Sequence, residues 1–422
     1  MRLQPPLPPT DIRRAMARVL ALAALVAAAA CGSDSVAPSF PSTPAVTTAL
    51  ATGQQFSCVL TADGKSYCWG DNLRGQLGDS SFIPELVPTP TAGGHQFVAI
   101  AAGYASVCAL DPQGTAWCWG DDPTQPGLPL SYRTFPVAVA SPRPFTSITV
   151  GAKFGCGLDV SGAAYCWGIN SQGQLGVGDT VRRTGATPVK TSARFASLVA
   201  DFFSACGLTS DGAAWCWGDN TYGELGTGDV TSSSVARAAA GTLKLRGLSS
   251  GPIHECGLND AGAAFCWGSN ASGQLGDGTG IERHAPTQVL GGVPFSTIRS
   301  SRANSIFSTT CGVTPLGDVY CWGYGSKGQL AGAPASSACT PFSPPGVNNP
   351  NPVTFVCSYT PQKIAGISNV VALDVGLEHV CAIDGTARVF CWGDGAHGEL
   401  GDGNGVAEAT PVLVKGGLSV PH

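Results

Sequence analysis

The sequence predicts an all-β chain folded as a seven-bladed β-propeller of four-stranded blades. Fourteen of the 17 cysteines fall into seven pairs, each ten residues apart and each ending in Cys-Trp-Gly. Their first members, Cys58, Cys108, Cys156, Cys206, Cys256, Cys311 and Cys381, recur at intervals of 50, 48, 50, 50, 55 and 70 residues, a propeller or solenoid period. Composition agrees: 57 glycines and 31 prolines in 422 residues, with 12% charged residues and two methionines, leave little room for amphipathic helices. Runs of Val, Ile, Thr and aromatic residues between Gly, Asn and Asp read as short strands and turns.

The first element is a leader. Residues 17–30 are an apolar run, preceded by Arg13-Arg14 and followed at once by Cys31-Gly32-Ser33. The run is too short to span a bilayer. A charged start, a short apolar stretch and small residues before a cysteine resemble a bacterial lipoprotein signal, which implies lipidation at Cys31. Ala28 stands where such signals usually carry Leu, so a plain secretory signal is the alternative, and Met16 offers a second start giving a more usual leader length. Residues 32–45, rich in Ser, Pro and Thr, read as a flexible tether. Loss of residues 1–31 removes four arginines and one aspartate and takes the formal charge from −5 to −8. Nucleic acid, which needs a basic face, is not an expected partner.

The repeat occupies residues 46–422. Each unit reads as an apolar strand such as Phe145–Gly151, a strand with the first cysteine, a strand ending in Cys-Trp-Gly, and a Pro-Val strand such as Thr187–Lys190. A glycine six residues after the first cysteine (Gly64, Gly114, Gly162, Gly212, Gly262, Gly317) suits the left-handed position of a three-residue hairpin loop. Such a loop sets the two cysteines directly opposite each other, within reach of a disulfide. The expected bridges are Cys58–Cys68, Cys108–Cys118, Cys156–Cys166, Cys206–Cys216, Cys256–Cys266, Cys311–Cys321 and Cys381–Cys391, with buried free thiols or, less favourably, zinc as alternatives. In the seventh unit Gly385 comes two positions early, which predicts a different turn there.

The Trp of each Cys-Trp-Gly is expected to pack between blades. A Gly-Gln/Glu-Leu-Gly turn follows in five units, with Gly328–Ala331 a near match, while Asp121–Leu128 replaces it in the second. Residues 333–360 lengthen the sixth unit. This proline-rich loop carries Cys339 and Cys357, expected to pair by parity, and Phe342, Phe355 and Tyr359 as candidate binding residues. Tyr132, Phe135, Tyr222 and Tyr324 also lie outside the repeated core positions.

Together, Gly-x-x-x-x-Cys-x-Leu and Cys-Trp-Gly-x-Asn-x-x-Gly-Gln-Leu-Gly, as in Cys156–Gly176, resemble the repeat of the regulator of chromosome condensation family over about residues 46–422. The resemblance implies a seven-bladed propeller. The family's nuclear founder is an exchange factor for a small GTPase, a role that an exported acidic chain suits poorly, whereas secreted bacterial members include binders of other extracytoplasmic proteins.

The six histidines (His95, His254, His284, His379, His397, His422) show no metalloprotease spacing, and no Gly-x-Ser-x-Gly occurs on a strand-to-helix turn. Asp-rich turns such as Gly401–Gly405 lack the ligand pattern of a calcium loop. No catalytic residue, cofactor or metal is expected. The expected function is an exported, lipid-anchored, monomeric scaffold that binds an extracytoplasmic protein, facing the periplasm or the cell surface from the outer membrane or secreted outright. A structural or glycan-contacting surface protein is the alternative.

Overall fold

The computed structural model describes residues 49–121, 132–302, 307–331, 337–339 and 355–415. The first blade is an antiparallel meander of Ala49–Thr52, Phe56–Leu60, Ser66–Gly70 and Glu85–Pro90, ordered from the axis outward. Six further sheets repeat it, each from consecutive strands, the last running from Val370–Val375 to Glu408–Leu413. The inner strands touch in cyclic order, and Val370–Val375 returns to Ala49–Thr52. Among the described residues the ring therefore closes by side-by-side packing of its first and last blades, with no strand exchanged between them. The inner strands are shorter than the sequence suggests: Ser147–Val150 within the expected Phe145–Gly151. The third blade's outer strand, Arg183–Pro188, begins ahead of the expected Thr187–Lys190 because Val189 turns inward and is buried.

The hairpin geometry follows from the cysteine spacing. Cys58 lies opposite Cys68, and the same register joins all seven pairs. Each pair is disulfide-bonded with Cα atoms 4.1 Å apart. Thr61 N–H donates to the Lys65 carbonyl and Gly64 N–H to the Thr61 carbonyl, leaving the three-residue loop Ala62-Asp63-Gly64 with Gly64 at φ 79°. The seventh blade keeps this turn, contrary to the expectation drawn from Gly385. Asp384 N–H bonds the Arg388 carbonyl and Ala387 N–H the Asp384 carbonyl, so Ala387 takes the left-handed place at φ 62°. The register set by Cys381 and Cys391 wins over the local glycine preference.

Adjacent blades are latched by the Cys-Trp-Gly tryptophans, all exposed by 1% or less. Trp119 Nε1 donates to the Gln76 carbonyl in the Gly-Gln-Leu-Gly turn of the blade before it, at 3.0 Å. Trp69, Trp217, Trp267, Trp322 and Trp392 do the same to Glu399, Gln174, Glu224, Gln274 and Gln329. Glycine closes the turn because the indole lies against it: a Cβ on Gly78 would sit 2.7 Å from Trp119. Trp69 bonds the last blade with the geometry the other blades use internally, so the ring seam has the same latch as every other interface. Among the described residues, Trp167 Nε1 alone of these indoles has no partner. The blade before it is the second, whose turn sequence departs, and residues 122–131 lie outside the described residues.

The sixth blade gains a fifth strand from the insertion. Ser337–Cys339 pairs antiparallel with the start of Phe355–Lys363, and Cys339 is bonded to Cys357.

Candidate functional site: the axial channel and the turn face

In a meander successive turns alternate ends, so the loops after the first and third strands of every blade share one face, here called the turn face. The inner strands line an axial cavity of about 410 Å³. Its wall is chemically divided. The first four blades give mostly aliphatic side chains, Leu50, Ile100, Ile148, Leu198 and Val199, broken by Thr149 and Ser197, while Arg246, Arg299, Arg302 and Asp374, the charged groups of the wall, all come from the last three. Toward the turn face, Tyr104 of the second blade meets Phe202 of the fourth at 5.6 Å between ring centres.

Asp374 is fixed by Thr52, whose N–H and Oγ1–H donate to its Oδ2 at 2.8 and 3.0 Å across the ring seam. Arg299 and Arg302 approach the same carboxylate only to 3.8 Å. Asp201 and Glu255 are buried where the fourth and fifth blades meet. Burial pushes both carboxyls well above the usual carboxylate range, with the Asp374 charge adding to the rise at Asp201 and the Asp201 charge to that at Glu255. Ser250 Oγ–H donates to Glu255 Oε1 at 2.6 Å, while Asp201 Oδ2 and Glu255 Oε2 have no hydrogen-bond partner.

One Ser–His contact invites a catalytic reading and its geometry answers it. Ser57 Oγ lies 2.8 Å from His379 Nε2, both fully buried. The serine oxygen also lies 3.3 Å from the Glu399 carbonyl and 3.5 Å from Cys381 Sγ, inside the interface of the first and last blades. Thr310 and His254 repeat the arrangement between the fifth and sixth blades, with Thr310 Oγ1–H on the Gln274 carbonyl. Burial lowers His254 to about 3 and His379 to about 4, so both rings are neutral. A contact repeated at two interfaces between fully buried groups joins blades.

Comparison with known proteins decides the family. The RCC1-like domain description matches residues 26–354 and the regulator of chromosome condensation repeat matches residues 370–399. The chain belongs to the RCC1-like family. A human protein described as a probable E3 ubiquitin-protein ligase, HERC6, is 30% identical over 108 residues, 25% of this chain and 9% of that protein, so the chain spans about a tenth of that relative's length. Human WBSCR16 superposes with a TM-score of 0.69 at 18% identity, covering 84% of this chain and 96% of that one. Prp20p from Saccharomyces cerevisiae, a structure titled for its binding to Gsp1p and histones, gives 0.64 at 20%, covering 78% and 80%. At these identities the likeness shows the fold. RCC1-like propellers are mostly binding or exchange modules.

On this RCC1-like frame the sequence-predicted residues separate. The sixteen paired cysteines sit where the spacing put them. Phe355 is buried against Phe307 and Tyr324, 5.0 and 5.7 Å away, because strand pairing turns it inward beneath the added strand. It is packing for the insertion, not an exposed anchor, and Tyr324 likewise is only 8% exposed. Tyr359, Tyr132 and Tyr222 are half-buried, and Phe135 is exposed. Cys31 and Phe342 lie outside the described residues. The channel and the acids buried beside it escaped the sequence reading although two signals marked them. Asp201 stands five residues before its cysteine, where Gly53, Gly103, Gly151, Gly251 and Gly376 stand in other units. Arg302 falls in the stretch that lengthens the step to the sixth unit to 55 residues.

Proposed function

We propose that the protein is an exported, lipid-anchored propeller that binds another protein at the cell envelope through its turn face. The observation that carries this reading is a recurring exposed aliphatic residue on the loop before the outer strand. Ile83, Val181, Val230, Ile281 and Val406 are 50–66% exposed on five different blades. Their loops are pre-set: Asn72, Asn170 and Asn270 donate Nδ2–H to the carbonyls of Ile83, Val181 and Ile281 at 3.1–3.2 Å. Apolar side chains on loops already held in one conformation lose little entropy on binding. Export and anchoring rest on the Cys31 leader, and a role in binding accords with RCC1-like relatives whose titles name protein ligands. A glycan-contacting surface is the second reading, supported by exposed Phe135.

The test is comparative capture from envelope extract. A variant with Ile83, Val181, Ile281 and Val406 changed to Ser should fold, since these side chains are exposed, and lose proteins that the parent retains. Equal capture by the two contradicts the turn-face reading, and binding on a glycan array favours the second. Cys31→Ala should move the chain from the membrane to the soluble fraction.

A further inference from the structure

We propose that the axial channel is a binding site for a small organic anion, a carboxylate bearing a short alkyl or aryl group. The observations are independent of the turn face. A guanidinium carries five N–H donors, and in a confined space each needs an acceptor. Arg246, at the start of its inner strand, shows what a structural arginine does here: Nε, Nη1 and Nη2 donate to the carbonyls of Asn259, Ser296 and Phe295 at 2.9, 3.4 and 2.6 Å. Arg299 and Arg302 are not spent in this way. Arg299 donates once, to the Ile298 carbonyl at 2.9 Å. Arg302 Nε is buried with no hydrogen-bond partner among the described residues. The carboxylate between them stays 3.8 Å from both and is already satisfied by Thr52.

Charge points the same way. Asp201 and Glu255, the other acids nearby, are held toward their neutral forms by burial. Two guanidiniums, Arg299 and Arg302, then share the single Asp374 carboxyl group at that part of the wall. The opposite arc, from the first four blades, has no charged group and is aliphatic apart from Thr149 and Ser197, which suits a hydrocarbon group better than a hydrated inorganic ion. A cavity of about 410 Å³ is of the size that holds small ligands. The guanidiniums would take the carboxylate through charge-assisted, fork-shaped hydrogen bonds while the tail covers Ile100, Ile148 and Leu198.

Isothermal titration of the full chain with hexanoate, with 1-hexanol as neutral match and acetate as the tail-less match, tests this. Hexanoate should bind one per chain with a dissociation constant of about 1 mM or tighter, and both matched probes should bind at least roughly tenfold more weakly. Arg302→Gln and Arg299→Gln should each weaken hexanoate by roughly tenfold or more. Should either arginine variant fail to fold, Leu198→Phe, which narrows the aliphatic arc without changing charge, should fold and lose hexanoate. No saturable hexanoate binding, hexanol binding as tightly as hexanoate, or hexanoate affinity unchanged in the folded variants would overturn the proposal.

Discussion

Glu224 and Glu399 occupy the turn position that is Gln76, Gln174, Gln274 and Gln329 in other blades, and all six side chains accept the N–H two residues earlier. A glutamine makes that bond neutral; a glutamate must bring its charge. Both glutamates are 1% exposed, and burial raises each to about 7 from an ordinary 4.5. The folded state thus holds protons that the unfolded state releases between pH 4.5 and 7. Stability from these groups is fully present below pH 4.5 and is lost as pH rises through 7. Glu224→Gln and Glu399→Gln should each stabilise the protein by roughly 1–3 kcal/mol at pH 8, the gain shrinking toward pH 5, as read by thermal melts across that range. His254 and His379, buried neutral, slope the other way: their contribution is present above pH 6.5 and is lost as pH falls toward about 4 and about 3. A second prediction concerns Ala387. An L-residue in the left-handed region costs about 1–2 kcal/mol, partly offset by the unfolded-state freedom that glycine adds, so Ala387→Gly should raise stability by roughly 0.5–1 kcal/mol in denaturant unfolding. Sequence alone hid both effects, because a Gln or Glu in a Gly-rich turn looks solvated until the next blade's tryptophan covers it.

Between blades, the tryptophan latch is the unit of cohesion, and the ring carries its own control. In Trp119→Phe or Trp217→Phe the indole N–H is lost and the Gln76 or Gln174 carbonyl is left buried, a cost of roughly 1–3 kcal/mol. Trp167→Phe loses no such bond, so its fall in unfolding midpoint should be clearly the smallest of the series. Equal losses would mean that the latch bond adds nothing to packing. The hairpins were legible in the sequence because a fixed ten-residue cysteine spacing admits one register, and register decides which side chains share a face. The outer strand was less legible: it is half-exposed, its register slips between Cys166 and Gly168, and its apolar signal is weak. The insertion was legible as an addition but not in its packing, since nothing local says that Phe355 turns inward when a fifth strand pairs beside it.

For the whole molecule, the blade count follows from the repeat, while the manner of closure does not. That no strand is exchanged emerges only from Trp69 meeting Glu399 and Thr52 meeting Asp374, contacts over 300 residues apart in sequence. The channel was invisible for the same reason: its charged wall residues Arg246, Arg299, Arg302 and Asp374 come from three different blades. Each disulfide closes a loop of about ten residues, worth roughly 2–3 kcal/mol by the chain-entropy account, so reduction should lower the melting temperature markedly. The seven disulfide-bridged blades and the proposed export of the chain meet in the oxidation state of the cysteines. Protein isolated from its own cells with thiols trapped at lysis, then mapped by non-reducing peptide mass spectrometry, should show Cys58–Cys68 through Cys381–Cys391 each paired within a blade, Cys339 with Cys357, and an N-terminal peptide starting at a lipid-modified Cys31. Free thiols at most of the fourteen repeat cysteines, or bridges between blades, would contradict this reading.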